Sequence, residues 1–194
     1  MTATPTFVIV GASLAGAKAA ETLRAEGFDG RIALLGEEPV RPYERPPMSK
    51  DYLRGEVDFD GPAVHEAGFY VANDIDLRTS CTVTAIDLKA TEVTLAGGER
   101  LRYDALLLAT GAEPRRLTVP GADLTGVHYL RTVADADALR TSIKASPPVV
   151  VIGAGWIGSE VAASARQLGA PVAVVEPAAV PLLRVLGEEV GSVY

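Results

Sequence analysis

The chain has 194 residues but a single cysteine, Cys81, and only two histidines, His65 and His128. One thiol builds no disulfide framework, no CxxC redox pair and no thiolate metal site. Two imidazoles make a poor ligand set for zinc, so no metal is expected. Cys81 is read as a small buried residue, and any redox chemistry has to be borrowed from a bound cofactor. Positive charge is scarce as well: 18 Lys and Arg stand against 25 Asp and Glu, a formal net charge of −7. No basic stripe exists to neutralise phosphates, which argues against a nucleic-acid partner. Long hydrophobic runs are also missing. The longest, such as Ala105 to Ala109 and Val149 to Ile152, are strand-length, far short of the ~20 apolar residues that span a bilayer. Met1 to Thr6 lacks the basic region and apolar core of a secretory signal, so a cytoplasmic protein with no membrane partner is expected.

What the chain does have is apolar content, 48%, enough for one large domain or two small ones. It also has one unit that occurs twice: strand, glycine-rich turn, helix, second strand, acidic residue. In the first copy Phe7 to Val10 is apolar throughout, as buried parallel strands are. Gly11-Ala12-Ser13-Leu14-Ala15-Gly16 is the turn, residues 14 to 26 favour helix, Gly27 sits at the C-terminal cap, and Arg31 to Leu35 leads to Glu37 and Glu38. In the second copy Ser146-Pro147-Pro148 introduces the strand Val149 to Ile152. The turn Gly153-Ala154-Gly155-Trp156-Ile157-Gly158 follows, then a helix to about Leu168, a Gly169 cap, and Val172 to Val175 before Glu176. A last helix is expected from around Leu186. Between the copies, residues 39 to 62 are rich in proline and charge and read as a long ordered loop. Alternating stretches between Leu77 and Thr110, with a Gly97-Gly98 turn, predict a small antiparallel meander. Pro114 and Pro120-Gly121 mark a domain crossing.

Gly153 to Gly158 is a full GxGxxG between strand and helix, with Glu176 placed 23 residues after Gly153. The first glycine permits the turn, the second admits a pyrophosphate to the backbone, and the third allows close helix–strand packing. The helix N-terminus offers amides and a positive dipole to the phosphates. A carboxylate at Glu176 accepts ribose hydroxyls and repels a 2′-phosphate, which favours NAD over NADP. Trp156 is expected to pack within the turn while its backbone N–H faces phosphate. The first turn is weaker because Ser13 replaces the central glycine, but it keeps its strand–helix–strand frame and has Glu37 placed 26 residues after Gly11. Glu38 competes with Glu37 for the ribose role, and Glu37 is preferred as the nearer to the strand. Two dinucleotide sites in one chain suggest that one dinucleotide delivers electrons to the other.

On the segments IVGASLAGAKAAETLR (9 to 24), RPYERPPMSKDYL (41 to 53), LLLATGAEPRRL (106 to 117), YLRTVADADAL (129 to 139) and VVVIGAGWIGSEVA (149 to 162), the chain resembles the ferredoxin-reductase group of FAD-dependent pyridine nucleotide-disulfide oxidoreductases. That group includes the rubredoxin and putidaredoxin reductases. The similarity runs from Phe7 to the last residue. The disulfide reductases of the same superfamily carry a cysteine pair near the RPYERPP segment; this chain has none. The resemblance implies FAD on the first turn (Gly11, Ser13, Ala15, Gly16, with Glu37) and NAD(H) on the second (Gly153, Gly155, Trp156, Ile157, Gly158, with Glu176). It implies Arg45 and Lys50 against the flavin, with Lys50 near its N5 and paired with Glu160 as the catalytic pair. Thr110 and Gly111 would return the chain past the cofactor, and Val83 would touch the adenine side through its backbone. Arg131 either reaches the FAD or makes a structural salt bridge; Arg184 either contacts the NAD adenosine phosphate or caps a helix.

The expected fold is α/β. A Rossmann-like FAD-binding domain with an inserted small antiparallel β meander (1–113) would precede the start of a second Rossmann-like, NAD-binding domain (114–194). The resemblance implies an NADH-dependent flavoprotein reductase passing electrons to a ferredoxin- or rubredoxin-type iron–sulfur protein. Members of the group continue well beyond position 194, so a truncated chain is expected; a second chain that completes the missing half, or self-association, would serve instead. Two alternative functions stand beside the reductase: a non-catalytic dinucleotide-binding fragment or subunit, and a flavin monooxygenase or NADH oxidase.

Overall fold

Consecutive apolar residues make a stable strand only where both faces of the sheet are covered, and the first half of the chain supplies both covers. The computed structural model describes residues 4–145 and 148–194. Residues 1–3 of the N-terminal stretch, and residues 146 and 147 of the proline-rich lead-in to the second copy, lie outside the described residues. The elements in chain order are β1 (Thr6–Val10), α1 (Leu14–Ala25), β2 (Arg31–Leu35), a 3-10 turn (Pro46–Ser49), α2 (Asp51–Arg54), α3 (Phe69–Ala72) and β3 (Ile75–Arg78). There follow β4 (Val83–Asp87), β5 (Glu92–Leu95), β6 (Arg100–Arg102), β7 (Ala105–Leu108), α4 (Val133–Ala145), β8 (Val149–Ile152), α5 (Trp156–Gln167), β9 (Val172–Val175) and α6 (Leu183–Gly191). The chain divides into two compact units, residues 1–44 with 63–112, and residues 45–62 with 113–194. The segment 45–62, which a boundary at 113 assigns to the first domain, therefore packs within the second unit.

In the first unit β3, β2, β1 and β7 form a parallel sheet in that order. The chain moves outward from β1 to β3 and returns to the other side of β1, so the carboxyl end of β1 is the switch point where open α/β sheets take ligands. One face packs Val8, Val10, Ala33 and Leu35 against Val93, Leu95 and Tyr103, with Cys81 half-buried at its edge. The other packs Ile9, Ile32 and Leu34 beneath Ala20 of α1 and Tyr70 of α3. Each such fully buried aliphatic side chain contributes roughly 1.5–3 kcal/mol. The meander is the antiparallel sheet β4-β5-β6, irregular between Val83 and Ala85. Leu77 and Arg78 belong not to it but to β3, a strand of the parallel sheet.

In the second unit β8 and β9 pair in parallel. Val149, Val151 and Val172 pack with Val161 and Ala165 of α5, Ile143 of α4 and Leu53 of α2. The segment read as a loop thus holds a 3-10 turn and a one-turn helix, because Tyr52 and Leu53 are buried there. α4 starts at a capping box: the Asp135 amide donates to Thr132 Oγ1 at 3.2 Å, and Asp135 Oδ2 accepts from the amides of Thr132 at 2.7 Å and Arg131 at 3.0 Å. The last helix begins at Leu183, earlier than the sequence suggests, and is interrupted at Gly187, whose φ is 76°.

Candidate functional site

The two glycine turns close in the same way. The Gly11 amide donates to the carbonyl of Leu35 at 2.8 Å, and the Gly153 amide donates to Val175 at 2.8 Å. Each bond ties the turn to the last residue of the second strand, one or two residues before the acidic residue. The third glycines are required by packing: a Cβ on Gly16 would overlap the Gly11 carbonyl oxygen, and one on Gly158 would overlap that of Gly153. Gly155 is different. Its φ of −77° suits any residue, and a Cβ there would meet nothing within 4 Å. Neither conformation nor packing explains a glycine at 155, which lies exposed at the start of α5. Neither α1, which starts after Ser13, nor α5, which starts after Gly155, receives a side-chain cap, leaving their first amides to water or an anion.

The acids differ between copies. Glu176 Oε2 accepts from the Ala154 amide at 2.7 Å and Oε1 from the Ala178 amide at 3.0 Å. These two bonds, aided by the charge of exposed Arg184 on α6, hold its carboxyl below the usual range. A fixed negative charge therefore stands beside the second glycine turn. In the first unit Glu38 accepts from Tyr43 Oη at 2.6 Å, whereas Glu37 is exposed and meets only a long bond from Thr82 Oγ1 at 3.4 Å. Glu37 is thus the more exposed of the two acids. Thr110 and Gly111 follow β7 directly, and the Ala109 carbonyl lies so close to Gly11 that a Cβ there would overlap it. Val83 begins β4 and packs against the core beneath the meander. Ala15 lies in the first turn of α1, beside Gly16.

The remaining residues singled out by sequence lie in the second unit. Lys50 Nζ is 2.7 Å from Glu160 Oε2 and 3.2 Å from the Pro46 carbonyl. Burial raises the Glu160 carboxyl, but bonds from Lys50 and from Ser49 outweigh it and bring the net shift down. Arg45 Nη1 donates to the Arg131 carbonyl at 2.5 Å, and the Arg131 amide is itself held by Asp135. Trp156 is 45% exposed, with its ring edge-on to Tyr194 at 6.1 Å, and Ile157 is 54% exposed. The expectation that Trp156 packs within the turn is corrected: it opens α5 and is nearly half exposed. Sequence reading missed Ser49, Ser164 and Arg54. Ser164 lies four residues after Glu160, so it shares that helix face, and this spacing is the signal that was available.

A parallel sheet with its switch point at a glycine turn, a second turn of the same construction and an acid beside each define an α/β dinucleotide-binding protein with a small antiparallel sheet. The chain belongs to the pyridine nucleotide-disulphide oxidoreductase family, which matches residues 5–194. It is 45% identical over 97% of its length to rhodocoxin reductase of Rhodococcus erythropolis, covering 44% of that protein. It is 42% identical over 96% of its length to the biphenyl dioxygenase system ferredoxin–NAD(+) reductase component of Paraburkholderia xenovorans, covering 46% of it. Among solved structures, the ferredoxin reductase for the CYP199A2 system of Rhodopseudomonas palustris superposes with a TM-score of 0.92 at 41% identity, over 96% of this chain and 46% of that one. The chain thus spans about half the length of the relatives it matches.

Proposed function

We propose that the chain is the FAD- and NADH-binding part of a cytoplasmic flavoprotein reductase that passes electrons from NADH to a ferredoxin- or rubredoxin-type iron–sulfur protein. The relatives, named as reductases, support the class. The observation that carries the choice of NADH is Glu176, ionised and held by two backbone amides beside a glycine turn with open space. Among the described residues no helix is long and apolar enough to cross a membrane.

Bound FAD supplies the chemistry, taking two electrons from NADH and releasing them singly. The residues of this chain bind and orient. Gly11, Ser13, Ala15 and Gly16 receive the FAD pyrophosphate, Glu37 its ribose, and Val83, Thr110 and Gly111 border it. Arg45 and Arg131 are tied to each other and take part as a unit. Lys50 presents an ammonium held by Glu160, a fixed positive charge of the kind that stabilises charge arriving on a neighbouring ring. Gly153, Gly155, Trp156, Ile157 and Gly158 receive the NADH pyrophosphate, and Arg184 its adenosine phosphate.

The test is NADH oxidation by the FAD-loaded protein with a ferredoxin- or rubredoxin-type acceptor, against oxygen alone. Acceptor-dependent turnover is expected. Oxygen consumption equally fast without the acceptor overturns the reading in favour of an oxidase, and NADH binding without any flavin reduction overturns it in favour of a non-catalytic binder.

A further inference from the structure

Among the described residues, the buried polar or charged ones are Ser49, 3% exposed, and Ser164, 1% exposed. Packing alone would be served by alanine at either place, and a buried hydroxyl is costly unless it is bonded. Both are bonded, and to the same assembly. Ser49 Oγ donates to Glu160 Oε2 at 2.5 Å; its other acceptor, the Pro46 carbonyl, is 3.3 Å away. A hydroxyl has one hydrogen, and the shorter bond to a charged acceptor is the stronger. Lys50 Nζ meets the same carboxylate oxygen. One helical turn after Glu160, Ser164 Oγ donates to the Ser49 carbonyl at 2.7 Å and accepts from Arg54 Nη1 at 3.3 Å. The same face of α5 therefore grips residue 49 twice, by side chain and by main chain.

We propose that Ser49 is a positioning residue for the Lys50–Glu160 pair, fixing the carboxylate so that the Lys50 ammonium has one place to sit, and that Ser164 holds Ser49 in register. An ion pair between side chains 43% and 30% exposed orients weakly by itself, and lysine is a flexible point charge. The buried hydroxyl removes that freedom. Near this assembly Arg54 of α2 engages Glu56 and Ser164, and β8 and β9 present valines to α5. This inference rests on the reading of Lys50 as a cation beside the flavin.

The experiment is a carbon-13 NMR titration of the Glu160 carboxyl in the 194-residue protein and in Ser49→Ala, Ser49→Cys and Ser49→Thr, with the pH profile of flavin reduction by NADH in the FAD-loaded forms. Loss of the hydroxyl in Ser49→Ala raises the Glu160 titration, the isosteric but weakly donating Ser49→Cys does the same, and Ser49→Thr restores it. The acidic limb of the reduction profile moves up by the same interval, and the plateau rate falls roughly 3- to 10-fold, the effect of one lost hydrogen bond. Ser49→Cys decides the matter if Ser49→Ala does not fold. A Glu160 titration unmoved by loss of the hydroxyl overturns the positioning role, even where flavin reduction by NADH is normal. Absence of flavin reduction in the parent protein overturns the reading of Lys50 instead, and the titration still decides the role of Ser49.

Discussion

Replacing Gly155 by alanine separates the proposed role of this glycine in admitting NADH from the demands of folding. At φ −77° and ψ −177° the backbone is open to alanine, and the new Cβ meets nothing within 4 Å. Alanine is a poorer N-cap than glycine, but it also lowers the entropy of the unfolded chain, so stability should change by no more than about 1 kcal/mol. The methyl group would stand where a pyrophosphate approaches the first turn of α5, and NADH binding should weaken at least about tenfold, ~1.4 kcal/mol. Gly158→Ala is the contrast. Its Cβ would overlap the Gly153 carbonyl oxygen and come within 3.1 Å of the carbonyl carbon, so stability should fall by about 1–3 kcal/mol. Urea denaturation reads the stabilities. Trp156, the sole tryptophan, stands at the start of α5 and is 45% exposed, so its fluorescence reads NADH binding. Unchanged NADH affinity in Gly155→Ala, or a loss of stability equal to that of Gly158→Ala, would refute the reasoning.

Glu176→Gln removes the charge expected to repel a 2′-phosphate, so the ratio of NADPH to NADH dissociation constants should fall about tenfold; the two titrations measure it. Arg24 donates to the carbonyls of Phe28, Gly30, Asn73 and Asp74 at 2.6–2.8 Å with its side chain 15% exposed. Arg24→Met should therefore cost about 2–4 kcal/mol in denaturant unfolding. His65 stacks on Phe69 at 3.7 Å and lies 3.4 Å from Glu21. Burial pushes its pKa down, and the Glu21 charge only partly opposes this. The unfolded chain then binds the proton more readily, so this contribution to stability is full above about pH 6.5, the ordinary histidine value, and is lost as pH falls from there through the lower folded value. Thermal melts across that range should show the loss, and His65→Phe should flatten it.

What was legible in the sequence was local. Each glycine turn, its strand and its acid fall within about thirty residues, and the periods that mark them need no knowledge of distant contacts. The meander was legible for the same reason, through alternation around Gly97-Gly98. β3 was not: Ile75 to Arg78 alternates like a meander strand, yet it pairs in parallel with β2, where Asp76 meets Arg31 and Arg78 on the sheet's surface. α4 carried its own signal, Thr132-x-x-Asp135 ahead of Val133, Ala136 and Ile143 on the buried face, but those residues were read as a motif and not as a capped helix. The home of residues 45–62 was out of reach, because it depends on contacts such as Ser164 to Ser49, 115 positions apart. The bond from Tyr43 to Glu38 was likewise invisible in sequence, since nothing local marks it.

The most direct test of the central claim is the visible absorption spectrum of the purified protein supplied with FAD, recorded without oxygen before and after NADH. The account predicts an oxidised flavin band that stays with the protein through gel filtration and bleaches on NADH addition, faster than with NADPH. A protein that retains no FAD, or one whose flavin band persists under excess NADH, would contradict it.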